Sequence, residues 1–444
     1  MTFFLTRRQF LRGGAAVLVS SIFVLNGDLR AVLAAPKEML PDGMHYPREY
    51  QNLLEVENLR QIIGAHPESE YTIMWQMRAV GVDVRLEYRR VDREGASWVV
   101  PSYAKSQISD QDKYIYTAHL ERLEPDCRYA YRLTQGESAT SWRIFATAPY
   151  GGFRAIIVAD SQCGENYAAW ALTISRAVAK CPDANFIADL GDIVDNGQSD
   201  WHWSEWYGGA KDVLPDYLFV PVMGNHECYD LEWKNCLPKG YLTEFSLPPN
   251  GSRNFLGYYY DFNYGAVHFL VLNTEAEEIE PLKPGLMSEQ LAWLRQSVSA
   301  SNRPWQVVLM HRDILAYNEW NPYTKGYGGL NDIAHSFMPI FDELKIDLVL
   351  TGHMHTYRNR GHIFDFKPSD KGPVYILCGL SGNVRYDVPP DPNFDRVKSA
   401  EPDTDNFLLL EADPGKLNLR CYSLDDKLLD EMTLQKEKSH ISRH

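Results

Sequence analysis

Leu348-Val349-Leu350-Thr351-Gly352-His353-Met354-His355 is an apolar run that stops at a glycine and then presents two histidines in three residues. Alternate residues of an extended segment share a face, so both imidazoles can lie at one sheet edge, and Gly352 permits the sharp turn that would expose them. Such a pair fits metal ligation or hydrogen bonding within a loop, and the choice rests on how other strands end. Four further apolar segments end the same way. Residues 153–159 run into Asp160, 186–190 into Gly191-Asp192, 218–223 into Gly224-Asn225-His226-Glu227, and 307–310 into His311. Helical patterns are expected between them, notably over 168–179 and 333–344. Buried strands alternating with helices predict an α/β layered core, in which ligands collect at the carboxyl ends of strands.

The residue types at those ends suit one chemistry. Carboxylate, amide oxygen and imidazole together bind borderline-hard ions such as Fe, Mn or Zn, and no cysteine falls among the five clusters. Two ions about 3.5 to 4 Å apart need a shared ligand, which a carboxylate supplies. Asp192 is the natural bridge. Asp160 and His355 then complete one ion, while Asn225, His311 and His353 complete the other.

The chain has 444 residues and 45% hydrophobic content, enough for two or three domains with sizeable cores. Its formal charge is −15, and removal of residues 1–35, with four Arg and one Asp, leaves −18. That balance argues against a broad electrostatic grip on duplex nucleic acid, and an anionic substrate would need local positive charge, which metal ions can supply. Thr6-Arg7-Arg8-Gln9-Phe10-Leu11-Arg12, a short apolar stretch over 15–25 and Ala31-Val32-Leu33-Ala34-Ala35 resemble a twin-arginine signal peptide. Cleavage near Ala35 and a periplasmic or secreted location are expected, without stable membrane insertion afterwards, because the stretch is too weak for a spanning helix. Seven cysteines fit no dense disulfide framework; Cys228 and Cys236 are the best candidates for one bridge, Cys378 reads as buried, and Cys163 reads as packing or as a reactive neighbour of the ligands.

Residues 36–57, broken by Pro36, Pro41, Gly43 and Pro47, read as a lead-in. From 58 to 148 the pattern becomes short strands alternating at period two, at 71–76, 82–88 and 114–120, followed by 123–131 and 142–147. This resembles a fibronectin type III sandwich with Trp75 as core tryptophan and Tyr129 as corner tyrosine, a supporting role rather than a ligand site. A boundary falls at Ala148-Pro149-Tyr150-Gly151-Gly152, leaving 149–436 for the layered domain and 437–444 as a tail.

Asp160, Gly191-Asp192, Gly224-Asn225-His226-Glu227, His311 and Gly352-His353-Met354-His355 stand in the order and approximate spacing of the calcineurin-like metallophosphoesterases. With the preceding domain, the chain resembles the purple acid phosphatases over nearly its whole mature length. The fold this implies is an α/β layered metallophosphoesterase sandwich with an N-terminal all-β fibronectin III-like domain, its sheet completed by strands at 407–411 and 417–422. The resemblance implies an acid phosphatase-like phosphomonoesterase that uses a metal-activated hydroxide on small phosphate esters. His226 lies where that family keeps a catalytic histidine for the leaving oxygen, and Glu227 would fix its imidazole. A phosphodiesterase or nucleotide hydrolase is the alternative, and a noncatalytic metal-containing binding protein is a second.

The chain departs from the family pattern in three places. Asp195 stands where purple acid phosphatases place an iron-binding tyrosine, so a colourless protein is expected; Asp195 reads either as a group orienting a ligand or as a turn former. Gln162, in Asp160-Ser161-Gln162, replaces the usual Gly or His, and its amide oxygen is a candidate ligand of the first ion. Trp320, Asn321 and Tyr323 occupy the region where plant members carry histidines. The aromatic stretch Trp201-His202-Trp203-Ser204-Glu205-Trp206-Tyr207 reads either as a roof over the pocket or as a helix packing its tryptophans inward.

Overall fold

The computed structural model describes residues 43–45, 48–78, 83–93, 95–101, 103–108, 113–399 and 405–436. The expected signal peptide over 1–35 and the tail over 437–444 lie outside them. Two sheets carry the layered domain. In the first, Phe153–Val158, Phe186–Asp189 and Leu218–Pro221 run parallel, with Ala155 opposite Phe186 and Phe186 opposite Leu218. In the second, Val267–Val271, Trp305–Leu309, Leu348–Thr351 and Val374–Leu377 run parallel, flanked by the antiparallel strands Tyr260–Tyr264 and Arg358–Phe364.

The strands are apolar throughout because both of their faces are covered. Leu348 and Leu350 pack into the core between the sheets, whereas Val349 packs into the helix-covered layer. Ala155 and Ile157 divide from Ile156 and Val158 in the same way. Between the sheets, Phe186 meets Phe262 and Phe269 edge-on, with ring centroids 6.1 and 5.5 Å apart. The helix Asp332–Leu344 starts where the Asn331 side chain accepts from the Ala334 amide and ends at Lys345, whose φ is 55°. Its buried stripe of Ile333, Phe337, Met338, Ile340 and Phe341 faces the second sheet's outer layer. Each fully buried phenylalanine there contributes about 1.5–3 kcal/mol relative to exposure.

The last strands sit where the sequence puts them: Asn406–Asp413 pairs antiparallel with Phe153–Val158, and Lys416–Ser423 pairs with Asn406–Asp413. On the other side, Leu218–Pro221 pairs in parallel with Glu57–Ile62, Gln61 opposite Leu218. That strand continues antiparallel into Tyr71–Met77, Lys113–Leu120 and Tyr103–Ile108, giving ten strands in one sheet. One sheet of the N-terminal sandwich is therefore an extension of the layered domain. Its other sheet contains Arg85–Arg90, Ser97–Pro101, Arg128–Gln135 and Arg143–Ala146. The lead-in also pairs: Met44–His45 lies against Ser97 and Trp98. Trp75 is fully buried, and the Tyr129 hydroxyl accepts from the Glu124 amide at 2.9 Å, the bond of a tyrosine corner.

A buried ion pair ties the two parts together. Arg60, fully buried, donates to the Glu244 carbonyl at 2.7 Å and to its carboxylate at 3.0 Å, and Tyr207 donates to the same carboxylate at 3.0 Å. The expected bridge between Cys228 and Cys236 is not present; both thiols are free. Their backbones are adjacent, the Cys236 amide donating to the Cys228 carbonyl at 2.8 Å, but the buried Cys228 sulfur lies against Met223 Sδ and the Gly224 carbonyl instead. Cys163 is fully buried, and burial pushes its thiol up to about 11, which favours packing over reactivity. Among the described residues, no helix is long and apolar enough to cross a membrane.

Candidate metal centre

The parallel strands of both sheets end at one edge, and their following residues meet there. The donor atoms of Asp192, His311 and His353 lie within 4.8 Å of one another, and so do those of Asp160, Asp192 and His355. Asp192 belongs to both groups. Four of these residues have left-handed backbones: φ is 53° at Asp160, 50° at Asp192, 78° at His353 and 54° at His355. Strain of this kind costs about 1–3 kcal/mol per residue and persists only where the surroundings over-determine it.

Gly352 acts differently from the sequence reading. Its own backbone is not left-handed; the histidines carry that conformation, and Gly352 instead allows close approach, since a Cβ there would lie 3.0 Å from Ala159 Cβ and Asp160 Oδ2. Gly224 does the same for the shared carboxylate, where a Cβ would lie 2.3 Å from Asp192 Oδ1.

Hydrogen bonds fix which ring nitrogens face inward. His311 Nδ1 lies 2.9 Å from the Leu190 carbonyl and His355 Nδ1 lies 2.6 Å from the Val384 carbonyl. A carbonyl only accepts, so each Nδ1 carries the proton and each Nε2 presents its lone pair to the centre. His311 Nε2 then faces Asp192 Oδ2 at 3.1 Å, Asn225 Oδ1 at 3.2 Å and His353 Nδ1 at 3.2 Å. The Gln162 side-chain amide lies 3.2 Å from His355 Nε2; with the amide turned so that its NH2 donates to the carbonyls of Asp192 (2.9 Å) and Asp160 (3.2 Å), its oxygen takes that place. Buried carboxylate, amide and imidazole groups crowded together in this way are a set that a cation would satisfy.

The protonation equilibria express the same need. Burial alone would push the Asp192 carboxyl up, but the neighbouring imidazoles of His311 and His226 outweigh it and hold it far below the usual carboxylate range. Burial opposes charge on His311, yet Asp192 pushes that imidazole up to about 10, so a proton does there what a cation can do. Burial lowers His355 to about 4 and holds His353 well down, leaving both neutral and able to ligate. The carboxylate, amide and imidazole donors therefore fit divalent or trivalent first-row ions.

His226 stands beside this group. Its backbone amide donates to Asp192 Oδ1 at 2.9 Å, its Nδ1 donates to the Asp195 carbonyl at 2.6 Å, and its Nε2 lies 3.8 Å from Asp192 Oδ2. Asp195 thus orients His226 through its main chain, while its carboxylate lies 3.8 Å from both His226 and His202. Glu227 does not fix the imidazole as expected. Fully buried, it accepts from the amides of Asp192 (3.1 Å), Ile193 (3.0 Å), Val194 (3.3 Å) and Gly224 (2.8 Å), and so holds the loop that carries the shared carboxylate. The one-turn 3₁₀ segment Asn225–Cys228 explains the error, because it sends successive side chains in different directions.

The aromatic stretch packs inward: in the helix Asp200–Ala210, Trp203, Trp206 and Tyr207 are buried, and Trp206 Nε1 donates to Ser161 Oγ at 3.0 Å. Asn321 is buried and donates to the carbonyls of Gly328 and Leu330, closing the loop after His311, while Trp320 and Tyr323 are exposed. A cavity of about 270 Å³ opens beside His353, lined in part by Arg312, Tyr317 and Trp320. Arg312 is itself paired with Glu275 and Glu278, each at 2.7 Å. Sequence reading missed Tyr386, stacked on His355 at 4.2 Å, and Trp233, whose ring lies 5.6 Å from that of His226. Both sit in irregular loops, where no periodicity marks a residue's direction.

Residues 153–357 match the calcineurin-like phosphoesterase family, and residues 56–147 match the purple acid phosphatase N-terminal domain. Purple acid phosphatase 23 of Arabidopsis thaliana is 27% identical over 185 residues, covering 41% of this chain and 38% of that protein. A phosphoenolpyruvate phosphatase of Allium cepa is 24% identical over 294 residues, covering 61% of this chain and 58% of that protein. The chain thus spans well under two thirds of these plant relatives. An uncharacterized protein of Mycobacterium tuberculosis is 24% identical over 445 residues, covering 86% of this chain and 79% of its own length. Among solved structures, a purple acid phosphatase from yellow lupin (Lupinus luteus) seeds superposes with a TM-score of 0.70 at 17% identity, covering 87% of this chain and 75% of that one. A structure of PhoD gives 0.60 at 13% identity, covering 86% and 91%. At these identities the two structures speak to the fold alone.

Proposed function

We propose that this chain, which belongs to the calcineurin-like phosphoesterases and resembles the purple acid phosphatases, is an exported metal-dependent phosphohydrolase acting on small phosphate monoesters. The observation that carries the reading is the pair of donor groups sharing Asp192, with His311 Nε2 beside Asn225 Oδ1 and His353 Nδ1, and the Gln162 amide beside His355 Nε2. Asp160, Gln162 and His355 with Asp192 would hold one ion; Asn225, His311 and His353 with Asp192 would hold the other. Fe, Mn or Zn suits both sets. Such ions, when bound, supply Lewis acidity that lowers the pKa of water and offsets charge on the phosphoryl oxygens.

The chain's own residues do the rest. His226, its Nδ1 proton fixed on the Asp195 carbonyl, would act in its doubly protonated form, passing the Nε2 proton to the departing oxygen and returning to neutral imidazole. Glu227 keeps Asp192 in place through four amides. We place the domain division at 58–148 and 149–436, with export directed by the paired Arg7 and Arg8 and the segment up to Ala35. A phosphodiesterase or nucleotide hydrolase is the second reading, favoured by Gln162 at the first ion. Rates on p-nitrophenyl phosphate and bis-p-nitrophenyl phosphate, with and without a chelator, test both. Faster monoester turnover that disappears on chelation, with circular dichroism unchanged, supports the first reading. Faster diester turnover moves the assignment to the second.

A further inference from the structure

Trp233 stands out among the residues that the proposed reaction does not use. The residue is 53% exposed, its ring lies 5.6 Å from that of His226 at 84°, and its backbone φ is 61°. A bulky residue in the left-handed region is a conformational outlier that the surroundings must enforce. Here they do. The Trp233 amide donates to the Asp230 carbonyl at 2.9 Å, and the amides of Glu232 and Lys234 both donate to Asp230 Oδ1 at 2.9 Å. The Asp230 carbonyl also accepts from Asn196 at 2.8 Å, Tyr229 bridges to Asn235, and the Tyr229 hydroxyl donates to Glu278 at 3.0 Å. This small loop is bonded at both ends and in the middle, and it holds a large apolar ring in water beside the imidazole.

We infer that Trp233 is a specificity-determining wall that stacks on a flat, aromatic leaving group, so that aryl phosphate monoesters are the substrate class. The inference rests on the phosphomonoesterase reading above and deepens it. The group bonded to the departing oxygen must pass His226, and a ring attached to that oxygen comes within stacking reach of the indole. A preset aromatic face binds such a ring without ordering cost, and it discriminates by shape rather than by hydrogen bonding. Tyr386, 45% exposed and stacked on His355, offers a second aromatic surface at the same centre.

The test compares phenyl phosphate with glycerol 2-phosphate for the metal-loaded wild type, Trp233→Ala and Trp233→Phe. Loss of one aromatic stack predicts that the aryl-to-alkyl ratio of kcat/KM falls about tenfold in Trp233→Ala, chiefly through KM, and that Trp233→Phe restores most of it. The inhibition constant of phenylphosphonate relative to methylphosphonate rises by a similar factor, a binding readout independent of turnover. Ratios within twofold of wild type, whether or not both rates fall together, overturn the inference while leaving the phosphatase reading intact. A wild type that hydrolyses neither ester overturns both.

Discussion

Replacing His226 with alanine separates chemistry from metal binding. What the imidazole contributes is a ring nitrogen at the opening and one hydrogen bond to the Asp195 carbonyl. What holds Asp192 Oδ1 is the main-chain amide of residue 226, at 2.9 Å, which alanine keeps. The donor groups of both ion sites contain no atom of His226. General acid help is worth ~10²- to 10⁴-fold, so kcat should fall by that factor, a barrier increase of about 3–5 kcal/mol. Folding stability should fall by only about 1 kcal/mol, the value of one net hydrogen bond from a side chain at the surface of the site. Turnover of p-nitrophenyl phosphate, metal content by elemental analysis and thermal unfolding, measured on one preparation, check all three. Loss of bound metal, or a kcat within tenfold of wild type, would refute the role derived for His226.

Other residues give sharper contrasts. Glu227→Gln leaves one oxygen for four amides and turns an NH2 group against donors, so stability should drop by about 2–4 kcal/mol, with metal lost as the Asp192 loop shifts; thermal unfolding and metal content read both. Arg60→Met strands the buried Glu244 carboxylate between the N-terminal sandwich and the layered domain, and denaturant titration should show a loss of about 3–5 kcal/mol. With Cys228 and Cys236 both free, thermal midpoints with and without dithiothreitol should coincide; a clear drop on reduction would reinstate the bridge.

The layered fold, and the strand ends at which most of the candidate ligands meet, were legible because they follow from one pattern. Parallel strands buried on two faces must be apolar along their length, so the first polar residue after each marks the sheet edge where Asp160, Asp192, Asn225, His311 and His353 meet. Relationships that depend on direction rather than order were not legible. Glu227 follows His226 in sequence, yet the tight turn aims its carboxylate at the Asp192 loop. The thiols of Cys228 and Cys236 sit on neighbouring backbone, but packing against Met223 decides where the first one points. The pairing of Gln61 with Leu218 merges two domains into one sheet, and no local signal announces a partner so distant along the chain. Trp233 and Tyr386 reach the centre from loops, where side-chain direction follows no period.

Both candidate ion sites depend on the Asp192 carboxylate, and metal stoichiometry reads that dependence without an intermediate step. Purified, folded protein reconstituted with Mn, Fe or Zn should hold about two ions per chain, and Asp192→Asn should hold at most one and lose activity. No bound metal in the wild type, or two ions and full activity in Asp192→Asn, would mean that Asp192 does not join two ions.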